Sequence, residues 1–208
     1  WGPGHCRMPG SNCKAQLIVR DRFTIHGMWP SNHSDPQPDT CINDRNAKGR
    51  SLDPTMLPVE LKNNLKRSWP SYTSPDPEIF WKSEWVKHGT CSFNKFNQIK
   101  YFYQAFNNWN GMGLYDLLKS EGIVPGASQT APNTYEKIKF IEAIKRHHFR
   151  DQVTVIPNFY CNKGTKKGTY DLREIRMCMD NNGFEYMNCT GTSKDLVETC
   201  GSKIDWYA

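Results

Sequence analysis

Eight cysteines constrain this chain more than any other feature: Cys6, Cys13, Cys41, Cys91, Cys161, Cys178, Cys189 and Cys200. An even number spread from one end to the other is the pattern of a disulfide framework. A zinc site favours close Cys or His pairs on either side of a loop, whereas this chain has no Cys-x-x-Cys and no Cys/His quartet at ligand spacing. Four disulfides are therefore expected, with no metal and no cofactor. The count alone leaves on the order of a hundred pairings open. Disulfides persist in oxidising compartments, so the protein is expected to be extracellular or vacuolar, reached by the secretory pathway. The sequons Asn32-His33-Ser34 and Asn188-Cys189-Thr190 agree with that route and make Asn32 and Asn188 glycosylation candidates.

A length of 208 residues suits one domain, and 7 Trp, 9 Tyr and 10 Phe supply ample apolar surface for its core. No repeat, low-complexity tract or composition break marks a linker. No apolar run has the length to span a bilayer, and Trp1-Gly2-Pro3-Gly4 does not read as a signal peptide, so any leader is expected to be already removed. A net charge of +6 favours polyanions by long-range attraction, but many secreted proteins carry as much with no nucleic-acid role.

Hydrophobic periodicity predicts both helices and strands. Gln16 to His26 is rich in β-favouring residues and reads as a strand ending at His26, followed by a long surface loop from Pro30 to Asp53. Asp53-Pro54 reads as an N-cap and first turn of a helix carrying Met56, Leu57, Leu61 and Leu65 and ending near Trp69-Pro70. Phe80 to His88 is a second, short helix, with Trp81, Trp85 and His88 on one face and Phe80, Glu84 and Lys87 on its neighbour. Further helices are expected over Phe96–Trp109, Leu114–Ser120 and Thr134–His147. Strands are expected over Val153–Ile156, Tyr170–Met179 and Phe184–Met187, with a turn at Asn181-Asn182-Gly183. Helices and strands that cluster rather than alternate imply an α+β fold, a central antiparallel sheet flanked by helices.

Two segments carry chemistry. Phe23-Thr24-Ile25-His26-Gly27-Met28-Trp29-Pro30 places a histidine at a strand end, where alone it reads as a packed polar residue. Phe80-Trp81-Lys82-Ser83-Glu84-Trp85-Val86-Lys87-His88-Gly89-Thr90-Cys91 adds an acid, a lysine and a second histidine, which alone read as solvated charges on an amphipathic helix. Jointly they suit cleavage of RNA by its own 2′-hydroxyl. One imidazole accepts the 2′-OH proton and an imidazolium protonates the departing 5′-oxygen. An ammonium such as Lys87 stabilises charge building on the phosphoryl oxygens, and Glu84 would hold the lysine and histidine and raise their proton affinity. The nucleophile belongs to the substrate, so no metal is needed to generate one.

These two segments resemble the paired active-site signatures of the RNase T2 family, most closely the plant S-like and self-incompatibility ribonucleases. The resemblance extends over nearly the whole chain, through the cysteine order, Trp69-Pro70 and Gly122-Ile123-Val124-Pro125. It implies a single domain over 1–208, acting as a monomeric endoribonuclease on single-stranded RNA, with no membrane partner, through a 2′,3′-cyclic phosphate. His26 would be the acid and His88 the base of the forward step, with Glu84 and Lys87 as transition-state stabilisers. It also implies disulfides Cys6–Cys13, Cys41–Cys91, Cys161–Cys200 and Cys178–Cys189. Trp29, Ser71, Tyr72, Phe80 and Ser83 would contact substrate. Ser83 stands where S-like relatives often carry histidine. The chain starts at Trp1 where relatives carry several more residues, so part of a first strand is expected to be missing. His5, His33, His147 and His148 have no partner motif and read as surface residues, and Lys166-Lys167 as a solvated hairpin tip. The competing expectation is a weakly active or inactive storage or defence relative.

Overall fold

The computed structural model describes residues 1–148, 155–164, 166–189 and 191–208. Six helices and six strands appear among them: α1 (Gly2–Cys6), α2 (Val59–Ser68), α3 (Glu78–Lys87), α4 (Gln98–Met112), α5 (Leu114–Ser120), β1 (Asn133–Glu136), α6 (Lys137–His148), β2 (Asn158–Lys163), β3 (Thr169–Arg176), β4 (Cys178–Met179), β5 (Tyr186–Met187) and β6 (Lys203–Trp206). The fold is α+β. Its four-stranded sheet has the order β1-β6-β3-β2 and is mixed: β1–β6 and β3–β2 are antiparallel, while β6 runs parallel to β3. The all-antiparallel expectation fails at that central pair. Strands β4 and β5 form a separate ribbon around Gly183, whose φ of 75° suits the expected Asn-Asn-Gly turn.

Two apolar clusters form the interior. One packs Trp1, Phe23, Leu118, Phe140, Ile144, Phe159, Ile204 and Trp206 between the sheet and α5 and α6. The other packs Leu61, Leu65, Trp69, Trp81, Trp85, Tyr101 and Phe102 among α2, α3 and α4. The segment 23–29 crosses between them, with Phe23 in the first cluster and Ile25 and Met28 against the second.

That segment is extended, as its β-favouring residues predict, but it is not a strand. The Ile25 N–H donates to Ser68 O, while the Phe23 and Met28 carbonyls accept from the Trp109 indole and the Tyr101 hydroxyl. Its hydrogen bonds therefore go to helices instead of a ladder, and Ala15–Leu17 forms a 3₁₀ turn. The expected helix from Pro54 is likewise split. Asp53 caps a 3₁₀ turn over Pro54–Met56, then Pro58 forces Leu57 into extended backbone and the helix restarts at Val59. Residues 133–136 pair with β6 rather than joining α6, because tertiary pairing overrides a helical pattern. Of the strand expected at Val153–Ile156, residues 153 and 154 lie outside the described residues, and ladder pairing begins at Asn158, after Pro157.

The cysteines form Cys6–Cys13, Cys41–Cys91, Cys161–Cys200 and Cys178–Cys189. No described helix is long and apolar enough to cross a membrane.

Candidate active site

His26 and Trp29 stand at the end of the extended segment, His26 exposed and Trp29 half-buried. The Trp29 indole is flanked by both histidines, its centroid 5.1 Å from that of His26 and 5.5 Å from that of His88. Its N–H donates to Glu84 Oε2 at 2.9 Å. Glu84 is 6% exposed on the buried side of α3, with Trp81 and Trp85, one turn before His88. Burial pushes its carboxyl above the usual range, opposed by the Trp29 hydrogen bond and by the charges of His26 and Lys87. Glu84 is thus held by Trp29, where the sequence suggested a partner for Lys87 and His88.

Both motif glycines are explained by close approach. A Cβ at Gly27 would lie 2.1 Å from Trp29 Nε1 and 2.4 Å from Glu84 Oε2, and one at Gly89 would lie 2.2 Å from the Trp85 ring. Any side chain at Gly27 would break the Trp29–Glu84 contact.

His88 caps the C-terminus of α3 and is half-buried. Burial pushes its imidazole below the usual range, with Asp39 opposing and the charges of Lys87 and His26 adding to the fall. Lys87 and Ser83, four residues apart, are both exposed and share a face of α3. The loop after the first motif is tied to this helix end by Cys41–Cys91, by Thr40 N–H donating to Lys87 O at 2.7 Å, and by Cys41 N–H donating to Thr90 Oγ1 at 3.1 Å. His26 is the more open histidine, and its Nδ1 lies 2.7 Å from Glu174 Oε2.

The Ribonuclease T2 family profile matches residues 1–189. The chain belongs to the Ribonuclease T2 family. Its activity class is that of the family, endoribonuclease. It is 33% identical to Ribonuclease S-2 of Nicotiana alata over 173 residues, 80% of this chain and 70% of that protein. To Ribonuclease DdI of Dictyostelium discoideum it is 31% identical over 185 residues, covering 86% and 73%. Among solved structures it is similar to a variant of RNase MC1, from the seeds of bitter gourd, in complex with 5′-GMP. That match has a TM-score of 0.76 and 26% identity, covering 98% of this chain and 94% of the other.

His26, Trp29, Glu84, Lys87 and His88, expected at the site from the sequence, come together around one indole and one helix end. The other expected substrate contacts are placed unequally. Phe80 is half-buried, its ring 6.1 Å from that of His26 and edge-on to Trp69. Tyr72 bonds through its hydroxyl to Thr24 Oγ1 at 2.6 Å, and its ring lies 6.1 Å from that of His5. Ser71 is buried, with Oγ accepting from the Thr73 and Ser74 N–H groups, which commits it to a turn.

Three site residues escaped the sequence. His5 is half-buried at the site rather than freely exposed: α1 packs on β3, so a Cβ at Gly4 would strike Leu172 O, and this holds the His5 ring 6.0 Å from that of His26. Burial and the charge of His26 push His5 below the usual range. Glu174 and Arg176 are the others. Their faint signal was the run Glu174-Ile175-Arg176, an acid and a base on the face of β3 opposite the core-facing Ile175, with nothing in the sequence to say what that face meets. His33 is exposed and His147 pairs with Glu121 at the surface, as expected; the His148 side chain lies outside the described residues.

Proposed function

We propose that this chain is a secreted, metal-independent ribonuclease that cuts single-stranded RNA by transphosphorylation, leaving a 2′,3′-cyclic phosphate. The observation that carries the reading is the placement of two unlike histidines on one indole. His88, kept mostly neutral at pH 7 by burial, suits removal of the 2′-OH proton. His26, with Nδ1 held against a carboxylate, offers Nε2 to the departing 5′-oxygen. The exposed Lys87 ammonium at the end of α3 supplies positive charge to the phosphoryl oxygens as they gain charge. Attack by a hydroxyl already in the substrate needs no metal-generated nucleophile.

The half-buried Phe80 ring beside His26 is the surface proposed for a base or ribose, since aromatic faces accept any base. The 5′-GMP bound by the RNase MC1 variant supports a nucleotide site in this fold. Secretion is supported by the four disulfides and by an exposed Asn32 in its sequon. The test is incubation of pure protein with RNA in excess chelator, followed by analysis of product ends. Cyclic-phosphate ends are expected. Intact RNA without chelator would support the silent-relative alternative, and activity lost only with chelator would overturn metal independence.

A further inference from the structure

We infer that Glu174, braced by Arg176, is the positioning residue for His26, fixing its Nδ1 proton and leaving Nε2 as the nitrogen that serves the substrate. The inference rests on the transphosphorylation reading for its kinetic consequence, but on the His26–Glu174 contact for the pairing itself.

Glu174 and Arg176 are two apart on β3, so they share a face of the strand. Glu174 divides its oxygens. Oε2 meets His26 Nδ1 at 2.7 Å, and Oε1 accepts from Arg176 Nε. Arg176 is itself fixed on three sides. Its guanidinium carbon sits 3.8 Å over the Tyr160 ring and 4.5 Å over the Trp29 ring, and Nη1 donates to Asp195 O at 2.8 Å. The Glu174 side chain is 13% exposed against 44% for His26, so the bond lies on the inner side of the imidazole and the remainder of the ring is open.

Burial acts to raise the Glu174 carboxyl, but the His26 hydrogen bond and the charges of His26 and Arg176 outweigh it and hold the group well below the usual carboxylate range. An ionised carboxylate only accepts, so Nδ1 must carry the shared proton. A fixed tautomer is what a general acid on this ring requires: with the proton on Nδ1 held by the carboxylate, Nε2 is the nitrogen placed toward the substrate.

The groups that face His26 are Glu174 on β3, Glu84 on α3, His88 at the end of α3 and His5 on α1. Glu174 also faces Arg176, Tyr160 on β2, and the Trp1 amino group.

The experiment compares the full chain with Glu174→Gln and Glu174→Ala, using cleavage of a dinucleoside phosphate across pH and ¹⁵N NMR of the His26 ring. Glu174→Gln keeps shape and an acceptor oxygen while removing the charge. Both variants should lose ~10–100-fold in kcat with little change in KM, the scale of removing a carboxylate that orients a functional histidine. In NMR the single Nδ1–H tautomer of the His26 ring should give way to a mixture. A folded Glu174→Gln with parental kcat and tautomer would overturn the inference, whether or not Glu174→Ala folds. If the parent itself does not cleave, the transphosphorylation reading fails, and the His26 tautomer in parent and Glu174→Gln still decides the pairing.

Discussion

Trp29 and Glu84, 55 positions apart, are joined by an indole N–H donated to Oε2 at 2.9 Å. This bond couples the two histidine-bearing segments directly and places a carboxylate where burial resists its ionisation. A raised carboxyl binds its proton more tightly in the folded than in the unfolded chain. Stability is therefore lost as pH rises from the unfolded carboxylate value through the folded one. Glu84→Gln keeps an acceptor for Trp29 and removes that cost. The variant should unfold at or above the parent's temperature at pH 7, with the advantage shrinking toward pH 4, while dinucleoside cleavage falls. Thermal melts from pH 4 to 8 check this, and a variant less stable by a constant margin at every pH would refute it.

The two histidines should give a bell-shaped rate profile belonging to the coupled pair. A base acts when neutral, so activity falls as pH drops through the His88 titration. Burial lowers that titration, and the acid limb is expected below the ordinary histidine value of 6.5. Asp39 opposes the shift, so Asp39→Asn should move the acid limb lower still. His26→Phe or His88→Phe should each cost at least ~100-fold in kcat/KM. Rate profiles of the four proteins test the assignment; a flat profile over the histidine range would reject the pair.

Much of this site was legible because its two segments are short and locally consistent. The helix carrying Glu84, Lys87 and His88 was read within two residues, and Leu114–Ser120 to the residue, since apolar spacing and a glycine at its start leave little choice. The strand expected before His26 failed for a different reason: Ile25 and Phe23 are β-favouring, but only the fold reveals that Ser68 and Trp109 are their hydrogen-bond partners. Glu174 and Arg176 were invisible as site residues because nothing near β3 in sequence tells which residue its face will meet, and His26 is 148 positions away. His5 was misread from the same ignorance of packing. The parallel β3–β6 pair is equally non-local, because Arg176 and Lys203 bound a long intervening segment whose path the local sequence does not reveal.

The Cys41–Cys91 bridge closes a separation of 50 residues, against 7 for Cys6–Cys13. In the chain-entropy picture its removal should cost about 4 kcal/mol, and removal of the shorter bridge about 2.5 kcal/mol. Cys41→Ala/Cys91→Ala should also lower turnover, because the same loop presents Asp39 to His88 and ties Thr40 to Lys87 O. Urea unfolding and dinucleoside kinetics on the two double variants measure both effects. Equal destabilisation by the two, or an unchanged rate on losing Cys41–Cys91, would show that the remaining loop contacts suffice.

Ser83 is exposed, four residues before Lys87 on the same face of α3 and next to Glu84. Its hydroxyl donates one hydrogen bond but brings no positive charge. An imidazole at this position would add charge beside Lys87 when protonated, toward a phosphate that gains charge in the transition state. Lys82 does not replace it, since successive helical residues point in different directions. Ser83→His should therefore raise turnover modestly, with the gain largest below neutral pH, where the added ring is charged. Stability should barely change at so exposed a position. Turnover of a dinucleoside phosphate by the parent and the variant across pH is the measurement. A folded variant with the parental rate or less at every pH would place Ser83 outside the reach of the scissile phosphate.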